Sequence, residues 1–61
     1  MKLDELIEHI GDGEPIGIFE DGIEILNTVI GSEVEDLYNY HDYLVDNIEH
    51  DSEMIMINVY I

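Results

Sequence analysis

The chain is expected to fold as one α+β domain over residues 1–61, with element order α-β-β-α-β and a three-stranded sheet carrying two helices on one face. Three observations lead there. Apolar residues make up 46% of the 61 positions, whereas disordered acidic tails combine high charge with few large aliphatics. The hydrophobic period changes from helical to alternating near Ile16. Turn-forming residues at Gly11, Asp21-Gly22 and Gly31 then divide the chain into short elements, with no internal repeat and no linker long enough to separate domains.

The first element runs from Lys2 to Ile10. Leu3, Leu6, Ile7 and Ile10 fall on one helical face, and Asp4 and Glu5 suit the positive end of the helix dipole. Gly11 stops it, and Asp12-Gly13-Glu14-Pro15 is a connection that no helix crosses. Alternation from Ile16 through Ile18, Ile23 and Ile25 around Asp21-Gly22 predicts a hairpin with strands at 16–20 and 23–30. Ser32-Glu33-Val34-Glu35 matches a capping box, so a second helix is expected over 33–50. The run from Glu53 to Ile61, dense in Ile, Val, Met and Tyr, reads as a strand. Being apolar on both faces, it belongs at the sheet centre or against another copy of the chain. Met54, Met56, Tyr60, Phe19 and Leu26 are expected to share the sheet face away from the helices.

Charge dominates the surface. Sixteen acidic residues stand against one lysine and no arginine, for a formal net charge of −15. Such a chain repels nucleic acid and anionic membrane, because phosphate binding needs the cations it lacks. Its natural partner is a basic surface. The charge also opposes folding, since carboxylates about 6 Å apart in water repel by roughly 0.7 kcal/mol per pair.

On the expected second helix, Val34, Leu37, Tyr38, His41, Leu44, Val45 and Ile48 fill one arc. Glu35, Asn39, Asp42, Asp46 and Glu49 form the opposite stripe, rising about 21 Å at 1.5 Å per residue, with Asp36, Tyr40, Tyr43 and Asn47 beside it. No cation offsets these acids at i+4 spacing. The stripe is therefore the candidate binding site, with the tyrosines as anchors. Glu20, Asp21 and Glu24 on the hairpin extend it.

In size, charge, absent arginine and this acidic, tyrosine-flanked stripe, the chain resembles the small acidic inhibitors that phages make to imitate DNA, among them inhibitors of uracil-DNA glycosylase, of restriction enzymes and of CRISPR effectors. The resemblance is one of physical type across the whole chain and rests on no shared motif. It implies an inhibitor that occupies the nucleic-acid groove of a basic partner protein, with the cytoplasm as the default compartment for a chain of this kind. The alternative is a structural or adaptor domain that dimerises through its last strand and sheet face.

Other chemistry is declined. No cysteine is present, which removes thiolate nucleophiles and zinc–sulfur sites. His41 is expected in the core, and His9 and His50 near helix ends. His50-Asp51 with Glu53, and Asp12 with Glu14, lack the ligand spacing of a calcium loop. Sixty-one residues leave little room for a catalytic cleft. No catalytic residue, metal or cofactor is assigned, and Met1 opens on no apolar run of a signal or membrane span.

Overall fold

The computed structural model describes residues 1–31 and 37–61. Its elements are α1 (Leu3–Ile7), β1 (Pro15–Glu20), β2 (Ile23–Val29), β3 (Leu44–His50) and β4 (Ile55–Tyr60). The four strands form one mixed sheet in the order β2-β1-β4-β3. The expected fold of three strands with two helices on one face is thus corrected to four strands and one short helix among the described residues.

α1 begins where the Glu5 carboxylate accepts a hydrogen bond from the Lys2 amide at 3.1 Å. Lysine has no acceptor to complete a capping box, so only this returning half forms. After Ile7 the chain tightens through bonds from His9 N to Leu6 O (2.9 Å) and Ile10 N to Ile7 O (3.1 Å). These three-residue closures end the helix before the Ile10 boundary read from the sequence. β1 and β2 form the expected hairpin, and Asp21 (φ 56°) and Gly22 (φ 79°) both take positive φ at its tip, as a two-residue turn matching strand twist requires.

The expected helix over 33–50 is overturned along its second half. Its capping box, Ser32 with Glu35, lies outside the described residues. Leu37 and Tyr38 are helical, then turn bonds from Tyr40 N to Leu37 O, His41 N to Tyr38 O and Tyr43 N to Tyr40 O lead into β3. β3 pairs antiparallel with β4, with a register shift between Val45 and Asn47. That bulge explains the misreading. An extra residue at Asp46 puts Val45 and Ile48 on one sheet face although they stand three apart, a spacing that sequence periodicity assigns to a helix. Asp46 and Asn47 are also poor helix formers, and β-branched Val45 and Ile48 suit a pleated strand.

β4 is interior, parallel to β1 on one side and antiparallel to β3 on the other. Both of its edges are paired, which leaves the last strand no free edge of its own. The core is Leu3, Ile16, Ile18, Ile30, Ile57 and Val59. Ile18 lies beside Ile57 in the β1–β4 register, and α1 with Leu37, Tyr40 and Tyr43 packs over that face. Each such aliphatic contributes about 1.5–3 kcal/mol when fully buried.

The other face holds Gly17 and Phe19 of β1 beside Met56 and Asn58 of β4, with Tyr60 on the same alternation. Met54 joins them, its sulfur 2.8 Å from where a Gly17 Cβ would stand. Leu26 does not: it pairs with Ile18 and packs on the core, a correction that follows from the register shift between Ile18 and Phe19.

Candidate binding surface

β1 and β4 run in parallel and end together, with Glu20 beside Val59. The hairpin tip and the turn entering β3 lie at that same end of the sheet, because β2 starts opposite Glu20 and β3 starts opposite Tyr60. Glu20, Asp21 and Glu24 from one segment are therefore gathered with Asp42 and Asp46 from another. Glu20 and Asp46 flank the end of β4 on strands whose backbones stand about 10 Å apart, two inter-strand spacings. Asp21, Glu24, Asp42 and Asp46 are exposed and Glu20 is half-buried. No polar or charged residue is buried among the described residues, so these carboxylates keep access to water and display their charge.

The remaining expected site residues are dispersed. Glu35 and Asp36 lie outside the described residues. Asn39 is exposed in the turn before β3. Glu49, opposite Met56 on the open sheet face, is well down β3 from the acidic end. A helical stripe from Glu35 to Glu49 does not exist, because Asp46 and Glu49 sit on a strand whose alternation sends side chains to both faces. The tyrosines are also reassigned. Tyr40 and Tyr43, expected as exposed anchors, pack on the core and meet edge to face at 5.3 Å. Tyr38, expected in the core, is 65% exposed.

Sequence reasoning missed one feature. Leu3, Asp4, Ile7, Glu8, Leu37, Tyr38 and His41 line a groove of about 230 Å³ between α1 and the turn before β3. Glu8 N bonds to Asp4 O at 3.3 Å, placing the two acids one helical turn apart. The Tyr38 and His41 rings stack at 4.5 Å with planes 13° apart. His41 Nδ1 lies 2.8 Å from the Tyr38 carbonyl oxygen. A carbonyl only accepts, so Nδ1 carries the proton and the ring is held in its stacked orientation. The pairing of Asp4 with Glu8 beside Leu3 and Ile7 was available as a signal. The reversal of Tyr38 and His41 was not, since it depends on where the chain turns.

The described acids do not converge on a metal: no group of three or more His, Asp or Glu side chains among them is placed to hold one. Asp51 accepts from Glu53 N at 2.7 Å and Met54 N at 2.8 Å, closing the β3–β4 turn. Those backbone bonds hold its carboxyl below the usual range. No described helix is long and apolar enough to cross a membrane. Compared with protein-family models, curated proteins and solved structures, the chain matches none.

Proposed function

We propose that this chain is a non-catalytic, cytoplasmic acidic domain that binds a lysine- and arginine-lined protein surface, of the kind nucleic-acid-handling proteins present, without touching nucleic acid itself. The observation supporting this reading is the gathering of Glu20, Asp21, Glu24, Asp42 and Asp46 at one end of the sheet, in a chain whose only lysine is Lys2 and which has no arginine. Like charges drawn together by the fold oppose its stability. A cationic partner relieves that repulsion, and the complex forms quickly through electrostatic steering. The helix-borne rod of carboxylates is no part of this reading, so blockade of a nucleic-acid groove rests on competition alone.

Affinity capture with mass spectrometry over a salt series tests it. Recovery of DNA- or RNA-handling proteins is expected at low salt, with a steep loss between roughly 50 and 200 mM salt. A labelled duplex should compete for the captured protein. The double substitution Asp42→Lys and Asp46→Lys should abolish capture while the domain stays folded. Recovery that ignores salt, or that survives the double substitution, overturns the proposal.

A further inference from the structure

We propose that the groove between α1 and the turn before β3 receives an arginine side chain from the basic partner, an inference that rests on the acidic-domain reading above. The groove, at about 230 Å³, falls below the range of about 300 Å³ upward that small-molecule ligands occupy. It is open to one long side chain. Ile7 and Leu37, both half-buried, supply an apolar floor for an aliphatic stem, backed by the fully buried Leu3. Asp4 and Glu8, one turn apart and both exposed, supply carboxylates for a cationic head at the rim.

The choice of arginine over lysine comes from the ring pair. Tyr38 presents a largely exposed ring already stacked on His41, and the bond from His41 Nδ1 to the Tyr38 carbonyl fixes that platform before any partner arrives. A planar guanidinium stacks on such a surface while its N–H groups fork toward carboxylates. An ammonium offers a point charge without a plane. The occupant is not a second copy of this chain, which has no arginine to offer and carries the same net charge of −15.

The test uses two synthetic peptides of equal length and charge, one built on arginine and one on lysine, titrated calorimetrically at low salt. The arginine peptide should bind about threefold more tightly or better, the scale of an exposed cation–π contact. In spectra of the unaltered protein it should shift the Tyr38 ring and His41 imidazole protons, and the lysine peptide should not. Asp4→Asn with Glu8→Gln should erase the preference. Glu14→Gln with Glu53→Gln, which removes the same charge from exposed loop positions, should keep it. Equal affinity for the two peptides, or equal loss of preference in both double variants, overturns the groove and leaves the acidic domain standing. Failure of both peptides to bind at low salt overturns both.

Discussion

Val45 and Ile48, three residues apart on β3, share one face of the sheet opposite Val59 and Ile57, which are two apart on β4. The extra residue is absorbed at Asp46. Deleting Asp46 should therefore close the ladder into regular pairing and change stability by no more than about 1 kcal/mol. Urea unfolding with far-ultraviolet dichroism checks this. A large loss, of the size a rotated core face produces, would contradict the strand.

Gly17 is covered by two side chains on the open sheet face: a Cβ there would stand 2.8 Å from the Met54 sulfur and 2.9 Å from Phe19 Cε1. Gly17→Ala should displace both and cost about 1–2 kcal/mol, in the range of mild overpacking. Shortening Met54 as well, to alanine, should recover part of that loss. Denaturant midpoints of the two single variants and the double variant measure it.

Tyr40 and Tyr43 meet edge to face against the core. A double-mutant cycle with leucine at each position should give a coupling of about 0.5–1.5 kcal/mol. A coupling near zero would return both rings to the surface role first read from the sequence.

Asp51 holds the β3–β4 turn through two backbone amides, and its carboxyl is depressed by them. A depressed carboxyl contributes stability that is present above its unfolded pKa and is lost as pH falls through the folded value. Asp51→Ala should therefore be less stable than the parent at neutral pH. The gap should close in acid, below the ordinary aspartate range. Asp51→Asn, which keeps an acceptor oxygen, should lose less. Thermal melts of the three proteins between neutral and acid pH decide it.

Legibility from sequence followed local chemistry. The hairpin was readable because Asp21-Gly22 specifies its own turn, and β4 because eight consecutive residues from Met54 to Ile61 leave no polar helix face. α1 was readable from Leu3, Leu6 and Ile7. β3 was not, because its bulge gives a strand the spacing of a helix, and that error carried the binding surface with it. Asp42 and Asp46 remain together with the hairpin acids only because strand order brings both segments to one end, a long-range fact that no window of sequence contains. The exchange of Tyr38 for Tyr40 and Tyr43 has the same origin: a turn and a helix send the same residues in different directions.

The Lys2–Leu44 bridge runs antiparallel, with Leu3 N bonded to Tyr43 O and Val45 N to Met1 O, each at 2.8 Å. The chain's opening residues thus form a stub of a fifth strand along β3. Its direction aims any peptide joined ahead of Met1 down the outer rim from Asp46 toward His50. An affinity handle at that end is therefore set to zip onto the sheet, whereas one joined after Ile61, which is 85% exposed, leaves the rim clear.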